Sequence, residues 1–183
     1  MNRNAGMTQV AILDLEVIAE APVWAKRLPE FAELCRAAAG AAFAAASGHR
    51  QFPGGAAEAS LRLADDARIR ALNKTFRGRD EPTNVLSFAN VEVDVLAAAG
   101  ADGPPCALGD IVIAFETTVG EAAREGTSLS AHLSHLVVHG ILHLLGYDHS
   151  TDDEALVMEA LEVRALAALG IADPYSSVSE TPR

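Results

Sequence analysis

Three histidines lie within the segment HGILHLLGYDH, from His139 to His149. His139 and His143 are four positions apart, so on a helix their side chains project from one face, about one turn apart. Gly146 predicts the end of that helix, because glycine adopts a left-handed backbone conformation without a steric penalty. The turn would bring His149 back toward the first two imidazoles. Three imidazoles with a fourth position left to water form the ligand set of a catalytic zinc site, so the spacing predicts one Zn²⁺ ion.

The helix that carries this motif is predicted to be buried. Apolar residues surround it on nearly all sides, which is typical of a helix in a protein core. His132, His135, His139 and His143 nevertheless share one arc of roughly 80° on this helix. We expect His132 and His135 to support the site rather than bind the ion. Asp148 could orient a ligand histidine through its other ring nitrogen, or it could belong to an exposed turn.

The rest of the chain predicts the elements that must position this helix. Apolar alternation or continuous apolar runs predict strands at residues 12–18, 60–64, 85–89 and 108–115. Alanine-rich or periodic stretches predict helices at residues 29–47, 65–76, 117–126, 130–145 and 152–169. Glycine and proline predict loops at residues 49–55 and 91–107. We therefore expect an α+β fold, in which a small mixed four-stranded sheet packs with about five helices around a buried, zincin-like central helix.

Length and composition indicate one folded domain. The chain has 183 residues, half of them apolar, which supplies a proper hydrophobic core. We expect residues 1–175 to form a single catalytic zinc-hydrolase domain and residues 176–183 a flexible tail. Cys35 and Cys106 suggest reduced thiols in a cytoplasmic protein, and no secretory or membrane-spanning segment is predicted.

The charge distribution bears on the substrate. A net charge of −11 argues against an anionic substrate, but seven of the 14 basic residues lie between positions 50 and 79. Only three acidic residues oppose them there, which leaves a local balance of 7 − 3 = +4. These residues form either a solvated helix face or a phosphate-binding patch. They are Arg50, Arg62, Arg68, Arg70, Lys74, Arg77 and Arg79.

Segments on both sides of the histidine motif resemble the bacterial YbeY family of endoribonucleases in ribosomal RNA maturation. The motif itself looks like that family's H-x3-H-x5-H signature. The family's other segments are matched in the same order by LNKTFRGRDEPTNVLSF (72–88), LGDIVIA (108–114) and ALGIADPY (168–175). The resemblance covers about residues 12–175. Alanine-rich stretches at residues 37–59 and 97–107 depart from the family pattern.

The resemblance implies that His139, His143 and His149 bind zinc, and that Arg77, within FRGRD, acts near the metal. A guanidinium can pair bidentately with a phosphate and offset the charge that develops on it. The family's activity implies cleavage of single-stranded ribosomal RNA in small-subunit 3′-end maturation and in ribosome quality control. It also implies association with the ribosome, or its small subunit, and with an assembly GTPase.

Further residues are candidates for contact with substrate or for proton transfer. Asn84 and Ser87 lie on the strand that should flank the cleft, and Arg79 follows Arg77 in the same motif. Phe88 is expected to pack rather than to bind. The general base stays open between Asp148, Glu116 and a hydroxide on the metal, and the attacking oxygen between water and a ribose 2′-hydroxyl.

Two other functions are compatible with the motif. A metzincin-like zinc peptidase has the same histidine spacing, but it carries a glutamate base directly after the first histidine, where this chain has Gly140. A non-catalytic ribosome-assembly factor would hold a structural zinc, whose fourth ligand could come from His135 or a carboxylate.

Overall fold

Four strands form one mixed sheet in the computed structural model, which describes residues 13–49, 56–90 and 105–176. The strands are β1 (Leu13–Ala19), β2 (Ala57–Ala64), β3 (Val85–Ala89) and β4 (Cys106–Ala114). Their order across the sheet is β1-β2-β4-β3. The first three in that order are parallel, and β3 runs antiparallel to β4 as an edge strand. The predicted mixed four-stranded sheet is therefore confirmed.

Six helices accompany the sheet in the described residues. They are α1 (Val23–Arg27), α2 (Phe31–His49), α3 (Asp66–Arg77), α4 (Phe115–Glu125), α5 (Leu129–Leu144) and α6 (Asp152–Ala168). Five of them match the predicted helices, and α1 is additional because five residues are too few to show helical periodicity. Trp24 fixes α1 to the core, since its buried indole N–H donates to the Ala64 carbonyl at 2.9 Å.

Two predicted loops and the predicted tail fall largely outside the described residues. The loop prediction for residues 49–55 is wrong at His49, which still belongs to α2, and residues 50–55 are not described. The prediction for residues 91–107 is wrong at Cys106 and Ala107, because pairing with β2 extends β4 to include them. Residues 91–104 and 177–183 lie outside the described part, so the loop and tail predictions for them stay predictions.

Helix α5 lies at the centre of the fold, in contact with α2, α4, α6, β3 and β4. Leu133, Val137 and Ile141 are completely buried in it, which confirms the prediction of a buried central helix. Gly140 faces the sheet so closely that a Cβ atom there would lie 2.9 Å from Ile111 Cδ1. A glycine at this position therefore allows the close approach of α5 to β4.

Helix α3 packs on the opposite face of the β3–β4 pair. Ile69 of α3 belongs to a small buried cluster with Leu86 and Val112 of the two strands. Asp65 caps the start of the helix by accepting the Arg68 backbone N–H at 2.8 Å. The helix ends at Arg77, which lies beside the edge strand β3 and lines a cleft between that strand and α5.

Candidate metal centre

The end of α5 brings three histidines together. The helix ends at Leu144, and Gly146 follows with φ of +78°, the left-handed conformation that the sequence predicted. This turn places His149 next to His139 and His143, so that one ligand atom of each lies within 4.8 Å of the others. Within the described residues this is the one cluster of three histidine, cysteine or acidic side chains with such spacing.

The hydrogen bonds of two histidines define which ring nitrogens are free. His143 Nδ1 lies 3.0 Å from the Tyr147 carbonyl oxygen, which can only accept, so Nδ1 carries the proton. His139 Nδ1 donates to Glu162 Oε1 at 2.7 Å. In the neutral rings both Nε2 atoms therefore present lone pairs, and these two atoms are only 3.0 Å apart. Two facing lone pairs repel each other unless a cation lies beside them, so the donor set fits a metal ion such as zinc.

The protonation of His143 agrees with a ligand role. Burial, followed by the neighbouring His139 and His149, lowers the pKa of His143 to about 4. The ring is therefore neutral near pH 7, which is the form that binds a metal. His149 is the exposed member of the cluster, and its ring stacks on that of His139 with centroids 5.6 Å apart.

Glu162 of α6 supports this centre, and the sequence analysis did not identify it. Its side chain is 1% exposed and accepts hydrogen bonds from His139, from His135 Nε2 at 2.9 Å, and from the Tyr175 hydroxyl. Burial opposes ionisation of this carboxyl, but the three donors outweigh it and lower its pKa to about 2. An ionised carboxylate at this position holds the His139 ring with its Nε2 atom toward the cluster.

A periodic pattern could have revealed Glu162. The buried residues of α6 follow the spacing of a helix face that packs on the core, and a glutamate occupies one of these positions. They are Met158, Leu161, Glu162, Ala165 and Leu166. A carboxylate at a core position needs hydrogen-bond donors, and the histidines of α5 are donors that the sequence offers.

His135 contacts the centre indirectly. Its Nε2 atom donates a hydrogen bond to Glu162, and its ring lies outside the cleft that the histidine cluster lines. The structure therefore does not bring His135 to the position of a fourth ligand, because Glu162 lies between it and His139.

Asp148 belongs to the turn rather than to a ligand pair. Its carboxylate accepts the His149 backbone N–H at 2.9 Å and the Ser150 hydroxyl. The Ser150 hydrogen bond, followed by that of His149, lowers the pKa of Asp148. Among the described residues it makes no hydrogen bond to an imidazole, which agrees with the alternative of an exposed turn. Asp148 does line the cleft.

The histidine cluster opens into a cleft of about 520 Å³ between α5 and β3. Arg77, Asn84 and Ser87 line this cleft, whereas Arg79 is not among its lining residues. Glu116 lies elsewhere and accepts the Asp66 backbone N–H at 2.9 Å. The structure therefore does not place Glu116 as a general base for this site.

Asn84 is held in a network of its own. Its amide oxygen accepts the Val85 backbone N–H at 2.7 Å, and its amide nitrogen donates to Glu121 Oε2 at 2.9 Å. The same Glu121 oxygen lies 2.9 Å from His132 Nε2. These bonds link the start of β3 to α4 and α5, so Asn84 positions the cleft wall.

The basic stretch is largely neutralised. Four of its residues pair with carboxylates, at N–O distances between 2.8 and 3.7 Å; these pairs are Arg62–Glu20, Arg68–Glu20, Arg70–Asp80 and Lys74–Asp80. In the described part of the chain, Arg77 and Arg79 have no such partner and are exposed. Arg50 lies outside the described residues. Among the described members, the predicted patch is reduced to these two guanidinium groups at the C-terminal end of α3.

The fold and the centre define a candidate metal-dependent enzyme of the α+β class. A family model described as Endoribonuclease YbeY matches residues 28–170. The chain belongs to this family, which confirms the resemblance drawn from its motifs. None of the helices in the described residues is long and apolar enough to cross a membrane.

Similar proteins match over most of the chain. An "Endoribonuclease YbeY" from Paramagnetospirillum magneticum is 48% identical over 163 residues, which cover 89% of this chain and 96% of the relative. The protein of the same description from Rhodospirillum rubrum is 51% identical over 160 residues, or 86% of this chain and 78% of the relative. A solution structure from Thermotoga maritima has a TM-score of 0.45 and 24% identity, covering 92% of this chain and 98% of that one.

Proposed function

We propose that this chain is a zinc-dependent endoribonuclease that cleaves single-stranded RNA. One observation carries the proposal: the Nε2 atoms of His139 and His143 face each other at 3.0 Å beside His149. This donor set opens into a cleft whose wall carries Arg77, which has no ion-pair partner in the described part of the chain. Curated relatives of the chain carry the description "Endoribonuclease YbeY".

The three histidines would hold the ion, with Glu162 fixing the orientation of His139. When bound, zinc supplies Lewis-acid stabilisation of a phosphoryl oxygen and activates water as a nucleophile. Arg77 would pair with the phosphate and offset the negative charge that develops during displacement. Ser87 on β3 and Arg79 beyond Arg77 are proposed substrate contacts.

The biological setting follows from the same proposal. Residues 1–175 would form one catalytic domain that acts in the cytoplasm. The substrate would be ribosomal RNA, in maturation of the small-subunit 3′ end and in ribosome quality control. The ribosome, or its small subunit, and an assembly GTPase are the proposed partners.

A cleavage assay with matched charge variants tests the proposal. Purified protein is incubated with single-stranded small-subunit ribosomal RNA, as wild type and as the variants His143→Ala, Arg77→Glu and Arg164→Glu. Arg164 is an exposed arginine of α6 and serves as the control for charge reversal. We expect cleavage by wild type and Arg164→Glu, and its loss in the other two. Equal cleavage by all four proteins would contradict the proposed site.

The two alternatives have separate tests. In the peptidase alternative a glutamate base would replace Gly140, but that position faces Ile111 of the sheet at 2.9 Å and has no room for a side chain. We therefore expect no chelator-sensitive digestion of casein. Normal ribosomal RNA ends in cells that carry only the Arg77→Glu protein would instead favour a non-catalytic assembly factor.

A further inference from the structure

We propose that Phe76 and Phe88 form a platform on which one nucleobase of the single-stranded RNA stacks, next to the metal cleft. This inference rests on the proposed function, because it assumes that RNA reaches the cleft. It assigns a binding role to an aromatic pair that the cleavage chemistry does not use.

Phe76 is unusual among the large apolar side chains because it is exposed to solvent. Its side chain is 64% exposed, and only Leu156 and Val157 are comparable large apolar residues in the described part of the chain. The ring of Phe76 lies edge-on to that of Phe88, with centroids 5.0 Å apart. Phe88 itself packs against the buried cluster that includes Leu86. The exposed ring therefore has a firm support, and most of its surface is free for a ligand.

The position of this pair relates it to the cleft. Arg77, the next residue after Phe76, lines the cleft, and so do Ser87 and Ala89 on either side of Phe88. Successive side chains of a strand point to opposite faces, so the two phenylalanines lie across β3 from the cleft. Because β3 is an edge strand, an RNA strand that leaves the cleft over this edge meets Phe76.

The charges around the ring favour a nucleic acid. Arg77 and Arg79 are exposed and unpaired in the described residues, whereas Asp80 neutralises Arg70 and Lys74 one to two turns earlier. Within the described residues, two guanidinium groups without an ion-pair partner thus follow the exposed aromatic ring within three positions of the chain. Single-stranded nucleic acids are bound by this combination of cations for the phosphates and aromatic rings for the bases. A protein partner would need a larger apolar surface than these two rings present.

A fluorescent substitution tests stacking directly. The natural Trp24 is completely buried, so Phe76→Trp introduces an indole whose exposure differs from the natural one. The probe is a 2′-O-methyl oligoribonucleotide, in which the methyl group prevents attack of the 2′-oxygen on the phosphate. We expect the emission of the introduced indole to be quenched on binding. Leu156→Trp, at a position 65% exposed on α6, is the matched control and should show no quenching.

Binding of the same oligonucleotide by four variants separates stacking from apolar contact and from charge. Phe76→Ala and Phe76→Leu should both weaken binding about 5- to 100-fold, because neither side chain offers an aromatic face. Phe76→Trp keeps an aromatic face and should bind about as tightly as wild type. The salt dependence should be unchanged in these variants. Arg79→Ala should instead lower the slope of log K against log salt by about 0.7.

The outcomes distinguish this inference from the proposed function. If the Phe76→Leu protein binds as tightly as wild type, or the Phe76→Trp protein binds without quenching, the platform is wrong while the endoribonuclease proposal stands. If wild type neither binds nor cleaves single-stranded RNA, both are wrong. Thermal unfolding of each variant verifies that it is folded, and Phe76→Leu and Phe76→Trp decide the matter even if Phe76→Ala does not fold.

Discussion

At the scale of single residues, Glu162 connects the histidine cluster to the rest of the protein. It accepts hydrogen bonds from His139, His135 and Tyr175 while its own side chain is almost completely buried. A carboxylate with these partners determines which nitrogen of His139 is free. Removing the charge of Glu162 would weaken the hydrogen bond that orients the His139 ring. The hydrogen bonds from His135 and Tyr175 would be weakened as well.

Glu162→Gln should therefore lower the affinity for zinc about 10- to 100-fold. The affinity is measured by competition with a chromophoric chelator on the purified protein. Glu159→Gln, on the same helix and with no hydrogen bond in the described structure, provides the control for loss of charge. Equal zinc affinity in both variants would show that Glu162 does not orient the ligand.

Asp148→Asn should leave the zinc affinity unchanged, because its carboxylate contacts the turn and not an imidazole. The same chelator competition measures it. A loss as large as that expected for Glu162→Gln would mean that Asp148 orients a ligand histidine after all.

The sequence predicted the three clustered histidines, whereas it did not identify the carboxylate that accepts hydrogen bonds from His135 and His139. The spacing of His139, His143 and Gly146 encodes the cluster locally, because helix and turn geometry alone bring these residues together. The periodicity of α6 marks Glu162 as a core position. Its contact with the histidines depends on the packing of α6 on α5, which the pattern of one helix does not specify. For Asp148 the sequence left two alternatives open, and its hydrogen bonds are those of an exposed turn.

At the scale of elements, the position of α5 against the sheet determines where the histidines lie. Gly140 sets this distance, because any side chain there would press on Ile111 of β4. The cleft between α5 and β3 depends on the same packing.

Gly140→Ala should lower the free energy of unfolding by about 1–3 kcal/mol, the usual effect of overpacking a core. Gly120→Ala is the matched control, because a Cβ there meets no atom within 4 Å, and it should raise the free energy of unfolding by about 0.5–1 kcal/mol. Urea unfolding measures both, and Ile111→Val should relieve part of the loss. An equal rise in the free energy of unfolding of the two variants would contradict the tight contact between position 140 and Ile111.

The strands illustrate why some boundaries could not be predicted. Strand β2 begins at Ala57, three residues before its alternating segment, although alanine and glutamate are poor strand formers. Ala57 pairs with Leu13 on one side and Cys106 on the other, so the neighbouring strands extend β2 beyond its local preference. The periodic segments predicted which elements exist, and tertiary pairing determined where they end.

At the scale of the whole molecule, the charge distribution limits where an anionic chain can approach. The net charge is −11, and most of the central basic stretch is engaged in ion pairs. Arg77 lines the cleft, and Arg79 follows it two positions later in the chain; neither makes an ion pair within the described residues. An RNA strand would therefore be attracted at this cleft and repelled over much of the remaining surface.

Removal of the metal should destabilise the protein without unfolding it, because the core around α2, α5 and α6 forms without metal contacts. At 100 times the dissociation constant, zinc adds about 2.7 kcal/mol of stability. For a chain of this size, that corresponds to a rise in Tm of about 5–10 °C. Calorimetry with chelator and with added zinc measures this difference, with His143→Ala as the insensitive control. Loss of helical circular dichroism on chelation would instead indicate a structural zinc.

The most direct measurement is metal analysis of the purified protein combined with X-ray absorption spectroscopy at the zinc edge. We expect one zinc ion per chain, bound by three imidazole nitrogens at about 2.0–2.1 Å with an exchangeable light atom as the remaining ligand. His143→Ala should abolish this spectrum. Wild-type protein that binds no zinc at micromolar concentrations, or a spectrum with four protein ligands, would contradict a catalytic centre at these histidines.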